Sequence, residues 1–186
     1  MVADVVLLSG PPGAGKSTAA HALAAGLDRA VHLHTDDFWR FIVAGSIAPY
    51  LPGSDEQNHT VMKAICAATW EYALGGFTTV VDGVIGPWML VHFTQAPAEH
   101  PLPAVHYIVL RPDRDETLRR AQQRPGADAL TDPDPVLAMW DQFTDLGPLE
   151  PHALDTSHLT ARETLAEVRA AISSGQFVLP RPDYAG

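Results

Sequence analysis

Gly10-Pro11-Pro12-Gly13-Ala14-Gly15-Lys16-Ser17 decides the fold of this chain. It follows a short apolar run, Val5-Val6-Leu7-Leu8, and precedes an alanine-rich stretch of helical character, Thr18 to Gly26. Strand, glycine-rich loop and helix start in that order turn G-x-x-x-x-G-K-S from a pattern into a phosphate site. Glycines let backbone N–H groups turn inward around an anion, and the helix N-terminus adds the positive end of its dipole. Lys16 is expected to reach the β- and γ-phosphates of a nucleoside triphosphate, and Ser17 to place its hydroxyl on Mg²⁺. Gly10, Pro11, Pro12, Gly13, Ala14, Gly15, Lys16, Ser17 and Thr18 are the expected nucleotide-binding residues. The chain has only two lysines, Lys16 and Lys63, and one stands where the phosphate needs it.

Working outward, 186 residues suit one domain with a single buried core. A formal charge of −10, from 22 acidic and 12 basic residues, disfavours a nucleic-acid groove and an anionic membrane surface. No apolar run approaches a membrane span, and Met1-Val2-Ala3-Asp4 lacks a basic leader, so a cytoplasmic protein is expected. The single cysteine, Cys66, excludes an intrachain disulfide and reads as a buried thiol.

Five apolar segments recur along the chain: Val5–Leu8, Ala30–Leu33, Thr78–Val81, Val105–Leu110 and, weakly, His152–Leu154. Helical stretches separate them, and this alternation predicts a parallel sheet covered on both faces. Capping boxes are expected at Ser54–Gln57, Asp113–Glu116 and Thr160–Glu163, and an Asp-Pro helix start at Asp134-Pro135. Gly75 and Gly175 should end helices. Residues 180–186 read as a frayed tail.

Beyond the second strand the chain presents Thr35-Asp36-Asp37-Phe38-Trp39-Arg40. Ligands of open parallel sheets lie past the carboxyl ends of the strands, where the loops after strands one and two are expected to be neighbours. Transfer of a phosphoryl group to an alcohol needs a residue that orients the hydroxyl and accepts its proton, with Mg²⁺ nearby. Asp36 is read as that base and as a metal-side group. Asp37 is read as a cap for a helix beginning at Phe38 or as a second metal-side carboxylate, and the adjacent pair leaves a one-residue ambiguity. Arg40 could bind an anionic part of the acceptor or brace Asp36.

Gly-Pro-Pro-Gly-Ala-Gly-Lys-Ser-Thr, then Thr35-Asp36-Asp37-Phe38, then Val80-Val81-Asp82-Gly83 resembles the small P-loop kinases that phosphorylate metabolites. The pattern is similar to nicotinamide riboside and uridine kinases, gluconate kinase, adenylylsulfate kinase and chloramphenicol phosphotransferase. The resemblance implies an α/β P-loop NTPase fold: a three-layer sandwich with a five-stranded parallel sheet, one domain over residues 1–179, and a short mobile lid near 120–135. It implies ATP and Mg²⁺ as cofactors and a small-molecule hydroxyl acceptor, with Asp36 matching the family's base.

Asp82 ends the third strand as a Walker-B-like carboxylate that holds Mg²⁺ through water or contacts the acceptor. No glutamate follows it, which favours transfer over hydrolysis. Asp115–Arg119 and Glu116–Arg120 have helical pairing spacing. Arg120 and Arg124, ahead of the Pro125-Gly126 segment, resemble lid arginines that neutralise charge developing in transfer. The resemblance also puts the base-binding edge at Asp155-Thr156-Ser157-His158, and no Asn-Lys-x-Asp guanine signature is present.

The acceptor side should gather Asp36, Asp37, Phe38, Trp39, Arg40, Tyr50, Gln57, Asn58, Asp82 and Trp88. Basic groups are scarce there, so a neutral, partly apolar acceptor is expected. His32 and His34 share one side of a strand, but no third ligand is evident in the sequence and a metal site is not expected of them. Two other readings stay open: a polynucleotide 5′-hydroxyl kinase, disfavoured by the acidic surface, and a nucleotide-dependent ATPase switch.

Overall fold

The computed structural model describes residues 2–94, 103–125 and 129–180. The expected tail beyond Pro180 and the centre of the expected lid, 126–128, lie outside those residues.

Five strands, β1 (Val5–Ser9), β2 (Ala30–His34), β3 (Thr78–Asp82), β4 (Val105–Leu110) and β5 (Ala153–Leu154), form one sheet in the order β2-β3-β1-β4-β5. Every pairing is parallel. The central strands are buried and mostly apolar because both faces are covered. Alternate residues divide between two cores. Val5, Leu7, Val81, Tyr107 and Val109 face one side, and Val6, Leu8, Val80, Ile108 and Leu110 the other.

The first side is covered by α3 (Asp55–Leu74), after the short α2 (Thr35–Arg40). Val61, Met62, Ile65, Cys66, Thr69, Trp70 and Ala73 are buried on α3 at the three- and four-residue spacing of one helical face. The other side is covered by α1 (Lys16–Ala25) and α7 (Ala161–Ser174), whose Ala19, Ala20, Leu23, Val168 and Ala171 complete the second core. Three shorter helices remain: α4 (Val91–Thr94), α5 (Arg114–Gln122) and α6 (Pro133–Asp141). The layers are helix, sheet, helix, as expected for a P-loop NTPase. Among the described residues no helix is long and apolar enough to cross a membrane.

Several local expectations are corrected. The strand order inserts β3 between β1 and β2, so the loops after strands one and two are not direct neighbours. The chain leaving β2 reaches the central site across Gly83, where a Cβ would lie 2.1 Å from Thr35 Oγ1. Helix α2 begins at Thr35 and not at Phe38, so neither Asp36 nor Asp37 caps it. Ser54 makes no cap: its hydroxyl donates to the Pro49 carbonyl, and Gln57 bonds the Ile47 backbone. Asp113 accepts from the Glu116 N–H, but the Glu116 carboxylate turns to Arg119 and Arg120, leaving half a box. Only Thr160–Glu163 forms both halves. Helix α6 starts at Asp132-Pro133, one Asp-Pro pair earlier than expected. Pro135 is tolerated inside because the first helical N–H groups need no intrahelical acceptor. Arg119 pairs with Glu116 and not with Asp115.

Candidate active site

The loop after β1 sets the geometry. Gly10 has φ +132°, and a Cβ there would lie 2.1 Å from the Leu110 carbonyl oxygen of β4, so nothing larger than glycine fits. Gly15 then ends the loop in the left-handed region and α1 begins at Lys16. Lys16 is buried and donates from Nζ to the Pro11 carbonyl at 2.8 Å. Burial lowers its pKa to about 8; the Asp82 and Asp36 carboxylates oppose that shift and Arg124 adds to it. A buried cation that, among the described residues, bonds only a carbonyl is poised for an anionic ligand.

Asp82, at the carboxyl end of β3, is fully buried. Its Oδ2 accepts from the Ser17 hydroxyl at 2.6 Å, and its Oδ1 lies 2.6 Å from His32 Nε2 and 3.0 Å from His34 Nδ1. Burial alone would raise the Asp82 pKa, but hydrogen bonds from His32, His34 and Ser17 outweigh it and hold the carboxyl well below the usual range. The hydrogen bond to Asp82 in turn raises the pKa of His34 against the opposing effect of burial.

A cavity of about 1070 Å³ opens above these groups. Its phosphate end is lined by Pro12, Gly13, Gly15, Lys16, Ser17 and Thr18. Arg120 and Arg124 also line it. The Arg120 guanidinium is already engaged, with Glu116 and with the carbonyls of Thr156, Ser157 and Leu159. No such partner holds Arg124 in the described structure. A second cavity of about 430 Å³ runs past Ala14 and Thr18 to Ser157, His158 and Leu159, the stretch expected to carry the base edge. Gly10 and Pro11 line neither cavity and act by shaping the loop.

The rest of the large cavity's wall is made by side chains. Asp36 is exposed at its wall, with its carboxylate 3.6 Å from His34 Nε2. Asp37 is not part of the wall; it pairs with Arg40 at 2.8 Å, so Arg40 braces Asp37 and not Asp36. Trp39 donates its indole N–H to Asn58 Oδ1, and Asn58 donates to the Pro49 carbonyl and the Ser54 hydroxyl, tying the 46–54 loop to α3. Tyr50 and Trp88 are half-exposed on the wall. Gln57 and Phe38 do not reach it.

Two features escaped the sequence. Pro135, Ala138, Met139 and Gln142 of α6 and its exit form a wall of the cavity at helical spacing. His32 and His34 join Asp82 across the β2–β3 register, where His34 stands opposite Asp82. A period-two pattern shows the two imidazoles on one side of β2, but only the strand order supplies their partner.

A family model described as an AAA domain matches residues 5–146, more than half of the chain. The chain belongs to the AAA domain family. No curated protein sequence matches it significantly. Among solved structures it is similar to a sugar kinase from a Janibacter species, at 19% identity and TM-score 0.68, over 92% of this chain and 95% of that one. A gluconokinase from Sinorhizobium meliloti aligns at 15% identity and TM-score 0.66, over 92% of both chains. Shikimate kinase from Acinetobacter baumannii, in complex with shikimate, aligns at 18% identity and TM-score 0.63, over 94% and 95%. The fold is therefore that of the small P-loop metabolite kinases.

Proposed function

We propose that this chain is an ATP-dependent kinase that transfers the γ-phosphate to a hydroxyl of a small, largely neutral molecule such as a nucleoside, a sugar-like metabolite or an antibiotic. One juxtaposition carries the reading: Lys16, Ser17 and Asp36 line the same cavity, with the Asp36 carboxylate close enough to act on the Lys16 charge. Asp36 accepts the proton of the acceptor hydroxyl, whose oxygen attacks the γ-phosphorus as the bond to the β–γ bridging oxygen breaks and ADP leaves. Lys16 and Arg124 neutralise the charge on the transferring group, and Arg120 holds the lid helix against the base edge. The Ser17 hydroxyl and the Asp82 carboxylate are hard oxygen donors already in contact, a pair suited to Mg²⁺. When bound there, Mg²⁺ would supply charge stabilisation on the phosphate oxygens.

The acceptor class follows from the wall. Trp39, Tyr50, Trp88, Met62, Met89 and Met139 give it an apolar, aromatic lining, and Arg40, the basic side chain beside them among the described residues, is paired with Asp37. A carboxylated or phosphorylated acceptor would bury its charge without a partner. The kinase neighbours support transfer as the reaction in this fold, and the acceptor is this chain's own matter.

The test is incubation with γ-labelled ATP, Mg²⁺ and pooled nucleosides, sugars and hydroxylated antibiotics, read by mass spectrometry for added phosphate. Asp36→Asn should lower the transfer rate by about 10²–10⁴-fold while ATP still binds. Full activity in that variant would remove Asp36 from the mechanism, and ATP turnover independent of any acceptor would favour a switch.

A further inference from the structure

The kinase reading uses one face of Asp82 and leaves the other unexplained. Its Oδ2 faces Ser17, and its Oδ1 lies 2.6 Å from His32 Nε2 and 3.0 Å from His34 Nδ1, which also sits 3.2 Å from Oδ2. The three ligand atoms offered by His32, His34 and Asp82 all lie within 4.8 Å of one another. The carboxylate is fully buried and both imidazoles are only partly exposed, on the same side of the sheet as α1.

We propose that His32, His34 and Asp82 form a binding site for a nitrogen-preferring divalent cation of the zinc or cobalt kind, distinct from the Mg²⁺ position at Ser17. Imidazole nitrogen suits zinc, cobalt and nickel, whereas Mg²⁺ prefers an all-oxygen shell and keeps its waters. In a tetrahedral shell, bonds of about 2.0–2.2 Å set neighbouring ligand atoms roughly 3.3–3.6 Å apart. Both imidazole contacts to Asp82, at 2.6 and 3.0 Å, have to open by about 0.4–0.8 Å to admit the ion, a shift within the reach of side-chain torsions, and the three atoms already lie within 4.8 Å of one another. The scaffold is rigid where it matters: His32 and His34 are alternate residues on one strand, and Asp82 stands in register beside His34. Two imidazoles and one carboxylate leave coordination positions open. With Oδ1 toward the histidines and Oδ2 toward Ser17, Asp82 can bridge two cations of different chemistry, as carboxylates do in two-metal phosphoryl sites. That bridging rests on the kinase reading; the histidine site does not.

The competing account is that the imidazoles only donate hydrogen bonds to Asp82. Glutamine separates the two, because it keeps an N–H for the carboxylate and is a poor ligand for zinc or cobalt. The experiment titrates Co²⁺ into the nucleotide-free, untagged chain and follows the visible ligand-field bands. A saturable band at one equivalent, displaced by Zn²⁺ and untouched by excess Mg²⁺, is expected. His32→Gln and His34→Gln should each weaken Co²⁺ binding at least about tenfold. His92→Gln, which alters the separate His59–His92 contact, should leave it unchanged. Zinc-edge X-ray absorption on the wild-type chain should report two imidazoles, a measurement that needs no variant to fold. No saturable band, a band indifferent to His32→Gln, or fewer than two imidazoles would overturn the site. None of these readouts uses nucleotide or acceptor, so a failed kinase assay leaves the result standing, and a failed titration leaves the kinase reading standing.

Discussion

The two ends of the large cavity are built on different principles. At the phosphate end the working groups are backbone and buried polar atoms: a glycine loop pressed against β4, Lys16 on a carbonyl, Ser17 on a buried carboxylate. At the acceptor end they are side chains, some exposed and some half-buried, from α2, the 46–50 loop, α3, the turn after β3, and α6. The first end is mostly one contiguous loop wedged against β4 and Asp82, so it can change little without losing its shape. The second is assembled from segments far apart in sequence, so each can vary while the rest hold. Lys16 and Trp88 sample the two ends, and their variants should fail in different ways.

The largest effect is expected at the phosphate end. Lys16→Met keeps the stem and removes the charge, and should lower transfer by about 10²–10³-fold with weakened nucleotide binding. Steady-state kinetics and calorimetry with ATP check this; a loss under about tenfold would put the phosphates elsewhere. The lowered pKa adds a pH signature. With burial holding Lys16 near 8, against an ordinary 10.5, the free protein loses its ammonium as pH rises past 8. Nucleotide affinity should then fall by up to about tenfold per pH unit. Stability of the free chain should move the opposite way. Between pH 8 and 10.5 the unfolded chain binds more protons at this site than the folded one, so this contribution rises with pH. Affinity and melting temperature measured over that window should diverge, and parallel trends would break the assignment.

A smaller effect is expected at the acceptor end. Trp88 is half-exposed on the cavity wall and packs near Phe143, with ring centres 5.9 Å apart. Trp88→Ala should raise the acceptor KM about tenfold, the equivalent of ~1.4 kcal/mol of lost apolar contact, with the nucleotide affinity unchanged. A variant that weakened ATP and acceptor equally would erase the distinction between the ends.

The same contrast explains what could be read from the residues alone. Strands β1, β3 and β4 are buried on both faces, so their apolar runs mark their positions to within a residue. The phosphate loop is legible because its shape demands glycine at particular steps of one short segment. The partners of Asp82 were hidden because a parallel sheet pairs strands through crossovers, and no local pattern announces that β2 lies against β3. The α6 wall was hidden for a similar reason. Its residues follow a helical spacing, but which face meets the cavity depends on how α6 packs, and Val136 and Phe143 take the buried side. Asp132-Pro133 and Asp134-Pro135 are locally equivalent as helix starts, so packing chooses between them.

The adjacent carboxylates give the finest test, because the comparison between the ends reduces there to one residue step. Asp36 lines the cavity and contributes to the field at Lys16, whereas Asp37 turns outward to Arg40. Both members of the Asp37–Arg40 pair are more than half exposed, at 53% and 60%, and such a pair contributes at most about 0.5 kcal/mol. Asp37→Asn should therefore change transfer by no more than about twofold and leave the melting temperature nearly fixed. Arg40, once released, stays on the cavity wall as a free cation, so the variant should tolerate anionic acceptors slightly better than the parent. Paired with Asp36→Asn, the measurement has a clean inversion: a collapse in Asp37→Asn beside a mild Asp36→Asn would transfer the base to Asp37. That outcome would require α2 to rotate by about one residue, roughly 100° around its axis, when the acceptor binds.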